Sequence, residues 1–347
     1  MNTFGFILQR QNLLRCSGLR LEQIGFYTLS DYRASQTSLS SPWWRCELLL
    51  TDKCNFKCPY CRGLKEHLGG NLDLNTALKI IDGLINDGLK NIRFSGGEPT
   101  LYPNLRTLIK HCKNRIERIA ISTNGSADLK FYKYLIDDGV NDFSISLDSC
   151  CSSVGEKMNG GFKGWERTIE NIIQLSKITY VTVGVVFTKE NIKQAIKCVL
   201  FASRLGVSDI RVITSAQYNK GLKKLEKLHT EVTQPFPILR YRINNMKNGR
   251  NVRGISDNDT NKCWLVLDDI AIVGGYHFPC IIYLREQGNP IGVVSKEMRI
   301  DRLNWLNHHN THLDKICKEN CLDVCIDYNN LVAKFKSQPK LLNVGEL

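Results

Sequence analysis

The sequence has few of the features that mark fibrous, disordered, membrane-spanning or exported chains. It contains only 9 prolines and 26 glycines in 347 residues, which argues against collagen-like and low-complexity chains. No apolar run approaches the roughly 20 residues that cross a bilayer. The N-terminus lacks a lysine-led apolar segment ending in small residues, as an export signal would have. We therefore expect a folded cytoplasmic protein, either one large domain or a main domain with an appendage.

Acidic residues are fewer than basic ones. The chain has 34 aspartates and glutamates and 47 lysines and arginines, which gives a net charge of +13. The excess contains no block of five or six like charges. It fits attraction to an anionic partner such as a nucleotide or an acidic peptide. A solvated surface without a partner is the simpler interpretation. We expect neither a membrane nor a nucleic acid as a partner.

Cysteine, in contrast, is abundant, with 14 residues. Disulfides are rare in the cytosol, so metal or redox chemistry is the better explanation. Eight of the cysteines form three groups along the chain: Cys54, Cys58 and Cys61, then Cys263 and Cys280, then Cys317, Cys321 and Cys325. The other six have no such spacing and are interpreted as small buried residues: Cys16, Cys46, Cys112, Cys150, Cys151 and Cys198.

From Cys46 onward, short β-rich runs alternate with longer runs of helical period, which is typical of βαβ units around a parallel sheet. The predicted strands are 46–51, 91–95, 118–122, 142–147, 180–187 and 209–214. The predicted helices lie near 75–86, 104–113, 129–137, 163–176 and 191–205. Six units are too few to close an eight-stranded barrel. We therefore predict an α/β fold, a partial (β/α)6 TIM-like barrel with a small cysteine-rich C-terminal extension, whose chemistry gathers at the carboxyl ends of the strands.

The same patterns divide the chain into five parts: an N-terminal extension (1–42), the (β/α)6 core (43–216), a basic connector (217–259), the cysteine-rich extension (260–330) and a C-terminal tail (331–347). The N-terminal extension is expected to cover one side of the sheet. The connector should contain one helix near 221–231 and carries nine lysines and arginines against four acidic residues. It either faces an anionic substrate or is a charged linker without a partner.

The first cysteine group follows the first predicted strand in C-x3-C-x2-C spacing. Three thiolates within eight residues can hold three irons of a [4Fe–4S] cluster. The fourth iron is then left without a protein ligand, and an incomplete ligand set is typical of catalytic rather than structural metal sites. Pro59 argues against a continuous helix through the motif.

Together with Tyr60 and the segment Gly96-Gly97-Glu98-Pro99 one βα unit later, this motif resembles the radical S-adenosylmethionine (radical SAM) enzymes over residues 46–216. The resemblance implies that the amino and carboxylate groups of SAM bind the open iron of the cluster on Cys54, Cys58 and Cys61. An electron from the reduced cluster would then cleave SAM to methionine and a 5′-deoxyadenosyl radical, which removes hydrogen from a substrate. It also implies a reducing partner such as flavodoxin or ferredoxin.

The resemblance further assigns SAM contacts to nine residues. Tyr60 is expected to lie against the adenine, Gly96 and Gly97 to allow close approach of the backbone to the methionyl amine, and Glu98 to support that strand end. The remaining candidates follow later strands and either contact the carboxylate or ribose of SAM or serve only as turn and N-cap residues: Ser122, Asn124, Ser146, Asp148 and Asn191.

The later cysteines are expected to form a second site. Cys263 and Cys280 flank a predicted hairpin with strands at 264–267 and 270–273. Cys317 and Cys325 would be about 12 Å apart in an unbroken helix. Either that segment bends, or only two of its three cysteines share a site.

This arrangement resembles the SPASM and twitch extensions of radical SAM enzymes, although it has five cysteines where the full SPASM pattern has seven. The resemblance implies one auxiliary [4Fe–4S] cluster bound by four of the five, namely four of Cys263, Cys280, Cys317, Cys321 and Cys325. Zinc on the same thiolates is the alternative. His308, His309 and His312 are interpreted as surface or packing residues.

The function predicted on this basis is hydrogen abstraction from a peptide or protein side chain during maturation. Two alternatives remain open. One is a radical SAM enzyme that acts on a nucleotide or another anionic small molecule, and the other is a non-catalytic iron–sulfur or zinc protein.

Overall fold

A computed structural model describes residues 31–61, 69–214 and 219–337. The strands of the described residues are β1 Arg45–Leu49, β2 Asn91–Ser95, β3 Arg118–Thr123, β4 Asp142–Ser146, β5 Tyr180–Phe187, β6 Asp209–Thr214, β7 Asp269–Val273, β8 Tyr276–Phe278 and β9 Gly292–Val293. Their α-helices are α1 Asp31–Gln36, α2 Leu74–Asn86, α3 Leu105–Cys112, α4 Leu129–Asp138, α5 Ser152–Met158, α6 Trp165–Leu175, α7 Ala195–Ser203, α8 Asn219–Leu222, α9 Thr230–Thr233, α10 Pro237–Lys247, α11 Ile281–Arg285, α12 Met298–His308, α13 Lys315–Asn320 and α14 Asp323–Ser337. Short 3₁₀ turns lie at Pro99–Leu101, Ile192–Gln194, Lys223–Lys227 and Trp264–Leu267.

These strands form one sheet in the order β6-β5-β4-β3-β2-β1-β7-β8-β9. The first six are parallel and lie in chain order, and the sheet does not close on itself. The predicted α/β fold with a partial six-unit barrel is therefore confirmed. Each of the six predicted core strands coincides with an observed one to within two residues.

The helices cover the sheet through narrow apolar faces. In α2, the buried residues Ala77, Ile80, Ile81 and Leu84 recur at spacings of three and four, which puts them on one side of a helix. The side chains of β2 are buried throughout, as expected for a central parallel strand covered on both faces. This core fixes the strands rigidly and leaves their carboxyl ends to carry the polar residues.

The extension continues the same sheet. Strand β7 pairs in parallel with β1, with Arg45 opposite Asp269, and β8 and β9 follow as antiparallel strands. The strand predicted at 270–273 is therefore present as β7, but its place as a seventh parallel strand of the sheet was not predicted. As a result, the cysteine-rich extension sits beside the strand that leads into the first cysteine group.

The prediction of a hairpin was wrong for its first strand, 264–267. Trp264–Leu267 is a 3₁₀ turn, and the hairpin is instead formed by β7 and β8 around Gly274. The apolar run at 265–267 is buried on consecutive residues, and such a run has no alternation that would separate strand from turn.

The segment that carries the last three cysteines is bent. Helix α13 ends at Asn320, the backbone of the following Cys321 is extended (φ −56°, ψ 138°), and α14 starts at Asp323. Of the two alternatives that the cysteine spacing left open, the structure shows the bend. Helix α14 runs on to Ser337, so the predicted boundary between 330 and 331 lies inside a helix.

The described end of the N-terminal extension packs on the C-terminal extension. The guanidinium of Arg33 in α1 binds Asp268 at 2.9 Å and Asp269 at 2.7 Å, and the hydroxyl groups of Thr37 and Tyr328 are 2.6 Å apart. Residues 1–30, including Cys16, lie outside the described residues.

In the connector, the prediction of a single helix over 221–231 was wrong. Two short helices and a 3₁₀ turn occupy that stretch, and the longest helix is α10. Pro237 begins α10 at a position where the missing N–H costs nothing. No helix among the described residues is long and apolar enough to cross a membrane.

Candidate functional site

The first cysteine group lies on the loop that follows β1. Cys54 and Cys61 are exposed and Cys58 is half-buried. Burial and the neighbouring acidic groups raise the pKa of Cys58 to about 12 and also raise the pKa of Cys54, and each of these two thiols interacts with the others of the trio. Two thiols that resist ionisation on their own, beside a third at Cys61, fit a metal group, because metal binding supplies the positive charge that a thiolate needs.

The glycines after β2 allow this loop to approach the sheet. A Cβ on Gly96 would lie 2.4 Å from the carbonyl oxygen of Thr51, and one on Gly97 would lie 2.3 Å from that of Lys53. The amide of Gly97 donates to Thr51 at 2.6 Å. Only glycine fits such contacts. The close contacts at the base of the cysteine loop thus explain why both positions are glycine. The predicted contact of these glycines with SAM stays a prediction.

Glu98 joins the ends of β2 and β3. Its buried carboxylate accepts hydrogen bonds from the amide and hydroxyl of Thr100 at 3.1 and 2.7 Å, from the hydroxyl of Thr123 at 2.7 Å, and from the amide of Asn124 at 2.7 Å. Burial raises its pKa, although these hydrogen bonds oppose that rise. This is the supporting role that the sequence predicted for Glu98.

Asn124 connects the end of β3 to the cysteine loop. Its side-chain amide donates to the Asn55 oxygen at 2.8 Å, and the Asn55 amide donates to the hydroxyl of Ser126, also at 2.8 Å. Asn55 was missed from the sequence. Its position inside the cysteine motif was the only feature of the sequence that could have indicated this role, because its partner Asn124 is 69 residues away.

The ends of β4 and β5 are joined to the same loop through Asp148. The phenol of Tyr60 donates a hydrogen bond to Asp148, and the amide of Val186 donates to the other carboxylate oxygen at 2.7 Å. Burial raises the pKa of Asp148 to about 6. Asn191 is fully buried, and its amide donates to the carbonyls of Asp148 and Val186 at 2.7 and 2.9 Å. Asn191 therefore holds the loop after β4, a structural role.

The two serines among the predicted site residues lie apart from these hydrogen bonds. Ser122 lines a chamber in front of the sheet, and Ser146 is exposed at the end of β4. Their assignment to SAM contacts stays a prediction.

The chamber has a volume of about 340 Å³ and connects the two cysteine-bearing regions. Tyr60 and Cys61 line one part of it, while Cys280 and Cys325 line another. It is also lined by six arginines from the sheet, the connector and the extension: Arg45, Arg93, Arg211, Arg242, Arg253 and Arg285. A molecule in this chamber would lie between the two groups of cysteines.

The five later cysteines surround one further cavity, lined by Cys263, Cys280, Cys317, Cys321 and Cys325. Burial raises the pKa of Cys263 to about 11 and that of Cys280 to about 12. The predicted gathering of these residues is thus present in the fold, although they come from the 3₁₀ turn before β7, the residues after β8 and the two helices α13 and α14 with the bend between them.

The spacing of these sulfur atoms bears on the choice between zinc and a cluster. Tetrahedral bonds of about 2.3 Å place the thiolates of one zinc ion roughly 4 Å apart. Among the described residues, no three cysteines have sulfur atoms that all lie within 4.8 Å of one another. A cubane, in which each thiolate binds a different iron, accepts thiolates that lie farther apart, and the five cysteines around this cavity are enough for the four ligands that such a cluster needs.

The ligand atoms of His309, Asp314 and Cys317, in contrast, all lie within 4.8 Å of one another. The His309 Nε2 atom lies 3.6 Å from the sulfur of Cys317 and 3.6 Å from a carboxylate oxygen of Asp314. Its ring also stacks on Trp305 with centroids 3.9 Å apart, which agrees with the packing role expected for it. These three side chains could hold a metal ion beside the cysteine cavity.

Comparison with known proteins identifies the core. The family model described as the Radical SAM superfamily matches residues 48–202, the part of the chain that carries the cysteine loop and the two glycines. The chain carries a radical SAM domain. Radical SAM enzymes use a [4Fe–4S] cluster and SAM, so the sequence resemblance and its two main cofactors are confirmed at the level of the family.

Curated relatives share this domain. A probable GTP 3′,8-cyclase of Methanococcus maripaludis is 32% identical over 143 residues, which cover 39% of this chain and 48% of that protein. A probable GTP 3′,8-cyclase of Sulfurisphaera tokodaii is 26% identical over 216 residues, or 57% of this chain and 69% of that protein. The chain spans about half the length of the first of these relatives.

Solved structures resemble the fold over a longer stretch. SuiB of Streptococcus suis superposes with a TM-score of 0.56 at 16% identity, covering 77% of this chain and 67% of that chain. The structure of anSMEcpe with bound AdoMet gives a TM-score of 0.55 at 14% identity, covering 85% and 93%. At these identities the likeness concerns the fold alone. It extends beyond residues 48–202 into the region of the later cysteines.

Proposed function

We propose that this protein cleaves SAM reductively and uses the resulting 5′-deoxyadenosyl radical to remove a hydrogen atom from a substrate in the 340 Å³ chamber. The single observation that carries the proposal is that Tyr60 and Cys61 of the cysteine loop open directly onto this chamber. The bound cluster would supply the electron, and the chain supplies its three thiolates from Cys54, Cys58 and Cys61.

The residues around the cysteine loop hold it in place for this chemistry. Gly96 and Gly97 let the loop backbone lie on the end of β2, and Glu98 fixes the ends of β2 and β3. Tyr60 is held by Asp148 at the chamber wall. Preorganised contacts of this kind keep a cofactor in one orientation, which a radical reaction needs because the reacting atoms must be adjacent.

SAM itself would lie at the carboxyl ends of the strands. The residues proposed to contact it are Tyr60, Gly96, Gly97, Glu98, Ser122, Asn124, Ser146, Asp148 and Asn191. Of these, Glu98 and Asn191 act through the backbone that they hold, since their polar atoms already bind neighbouring strands. Tyr60 and Ser122 face the chamber and are the best placed for direct contact.

The extension is proposed to bind one auxiliary [4Fe–4S] cluster in the cavity lined by the five later cysteines. Cys280 and Cys325 line both that cavity and the chamber. A cluster there would be next to the substrate, where it could accept an electron from a substrate radical. A flavodoxin or ferredoxin is the class of partner that would reduce the first cluster. The division into 1–42, 43–216, 217–259, 260–330 and 331–347 remains part of the proposal, as does a cytoplasmic location.

The proposed substrate is a peptide or protein side chain. This choice is supported by the resemblance of the fold to structures with bound peptides. The structure of SuiB bound to precursor peptide SuiA covers 86% of this chain with a TM-score of 0.53. The native anSMEcpe structure with AdoMet and the Cp18Cys peptide covers 84% with a TM-score of 0.55. The likeness includes the extension, which a substrate between the two cysteine sites would touch.

A nucleotide is the second candidate substrate. It is favoured by the six arginines of the chamber and by relatives named GTP 3′,8-cyclase. Both candidates share the same first step and differ only in what is bound in front of the cysteine loop.

The test is anaerobic reconstitution of the full-length protein, followed by reduction in the presence of SAM. We expect 5′-deoxyadenosine and methionine in equal amounts. Absence of 5′-deoxyadenosine from protein that has its full iron content would refute the enzymatic proposal and favour an iron–sulfur protein that only binds metal.

A further inference from the structure

The chamber between the two cysteine sites has an unusual charge balance. Six arginines line it, against two carboxylates, those of Glu47 and Glu286. The ion-pair partners directly behind the lining reduce the imbalance, because Arg45 binds Asp269, Arg93 lies 4.0 Å from Asp142, and Arg242 binds Asp323. Asp269 and Asp142 are each shared with a second arginine, Arg33 and Arg118, so neither carboxylate offsets a chamber guanidinium alone.

This excess of positive charge is held away from water. Arg93, Arg242 and Arg253 are buried, and Arg253 donates to the carbonyls of Thr214 and Asn320 at 2.8 and 2.7 Å. Burying several guanidiniums close together is costly, because their charges repel one another in a medium of low dielectric constant. An anion bound in the chamber would offset that cost.

Three of the arginines have room to reach such an anion. Arg45, Arg211 and Arg285 are half-buried and approach the chamber from β1, β6 and α11. Arg285 also donates to the carbonyl of Gly96 at 2.9 Å, which puts this guanidinium beside the glycine segment of the radical SAM domain. The chamber's positive side therefore adjoins the place where hydrogen abstraction is proposed.

Arg211 is central to this arrangement. It projects from β6 with one guanidinium nitrogen 3.3 Å from the hydroxyl of Ser144. Burial lowers the pKa of Arg211 to about 10; attraction to Glu47 and Asp142 opposes this shift, and repulsion from Arg242 and Arg45 adds to it. Arg211, Arg242 and Arg45 therefore repel one another around the chamber, and a bound anion would relieve that repulsion.

We propose that the substrate carries a dianionic group, either a phosphate or a pair of carboxylates, and that Arg211 binds this group together with Arg45 and Arg285. A guanidinium pairs with two oxygens of either group at once, which gives orientation as well as affinity. The inference rests on the proposed function only in taking the chamber as the substrate site.

The test measures anion binding by the full-length reconstituted protein, without reductant, by titration calorimetry. Phenyl phosphate and succinate are the two probes, each compared with chloride at equal ionic strength. The wild-type protein should bind at least one of the dianions, and Arg211→Gln should weaken that binding by about tenfold or more. Arg211→Lys should fall between the two, because it keeps the charge and loses the paired hydrogen bonds.

Arg204→Gln is the matched control, since Arg204 is exposed at the end of α7 and should leave binding unchanged. Arg285→Gln serves as the second variant if Arg211→Gln fails to fold. Binding of phenyl phosphate alone would assign a phosphate, and binding of succinate alone would assign carboxylates. The inference is overturned if neither dianion binds better than chloride, or if the arginine variants bind as the wild-type protein does.

The outcome is separable from that of the proposed function. Release of 5′-deoxyadenosine without dianion binding would overturn this inference and leave SAM cleavage standing. Dianion binding without release of 5′-deoxyadenosine would support this inference and overturn the proposed SAM cleavage.

Discussion

The phenol of Tyr60 donates a hydrogen bond to the buried carboxylate of Asp148, and this contact joins the cysteine loop after β1 to the end of β4, 88 residues later in the chain. The same carboxylate accepts from the amide of Val186 on β5. One side chain therefore links three strand ends around the loop that carries Cys58. Disturbing it should change both the stability of the fold and the behaviour of the loop.

The first prediction concerns the pH dependence of stability. Because burial raises the pKa of Asp148 to about 6, above its usual value near 4, the unfolded chain releases this proton at lower pH than the folded protein does. This group therefore lowers the free energy of unfolding as pH rises from about 4 to about 6, by at most about 3 kcal/mol.

Asp148→Asn should remove that part of the pH dependence and keep the hydrogen bond from Val186. Denaturant unfolding of wild-type and variant protein between pH 4 and pH 7 measures the difference. Asp137→Asn, at an exposed position of α4, is the control and should leave the curve unchanged. Parallel curves for wild-type protein and Asp148→Asn would contradict the account.

The second prediction concerns the close contact at Gly97. A methyl group there would lie 2.3 Å from the carbonyl oxygen of Lys53, so Gly97→Ala should displace the root of the cysteine loop. We expect iron bound by the first group to fall by more than half, with far-ultraviolet circular dichroism largely retained.

Gly83→Ala is the matched control, because Gly83 lies within α2 and nothing would contact the added methyl group within 4 Å. It should raise the free energy of unfolding by about 0.5 to 1 kcal/mol and leave the iron content unchanged. Full iron content in Gly97→Ala would show that the loop does not depend on this contact.

The third prediction concerns Glu98. Its buried carboxylate accepts four hydrogen bonds from the ends of β2 and β3, so Glu98→Ala should lower the free energy of unfolding by about 2 to 4 kcal/mol. Glu117→Ala removes only an exposed ion pair with Lys90 and should change stability by under about 1 kcal/mol. Equal effects of the two substitutions in denaturant unfolding would argue against a supporting role for Glu98.

The sequence predicted the six core strands well because each is a short buried run next to an amphipathic helix. It could not predict that β7 pairs with β1, since more than 200 residues separate the two strands and nothing local indicates the pairing. The run from Trp264 to Leu267 was misassigned because consecutive apolar residues suit a buried turn as well as a strand.

The cysteines of the candidate site could be identified from spacing, since ligands must lie within reach of one metal group. Their surroundings could not be identified in this way. Asn55, Thr123 and Arg211 acquire their partners only when distant strands come together. The chamber and its arginines are likewise products of the folded sheet, visible in the sequence only as a diffuse positive charge.

The fourth prediction separates the two cysteine sites. Cys280→Ala should remove the auxiliary cluster, so that iron falls from about eight to about four atoms per chain, while reductive release of 5′-deoxyadenosine persists. Cys151→Ser, at a half-buried cysteine outside all three groups, should retain all of the iron. An unchanged iron content in Cys280→Ala would remove the claim of a second cluster.

The most direct test of the central claim is the electron paramagnetic resonance spectrum of the reduced protein, recorded with and without SAM in the Cys280→Ala background, where only the first site should hold iron. If three thiolates from Cys54, Cys58 and Cys61 leave one iron open, adding SAM should shift the spectrum, and Cys58→Ala should abolish the signal and 5′-deoxyadenosine release together. A spectrum that SAM does not change, or zinc in place of iron at these cysteines, would contradict the account.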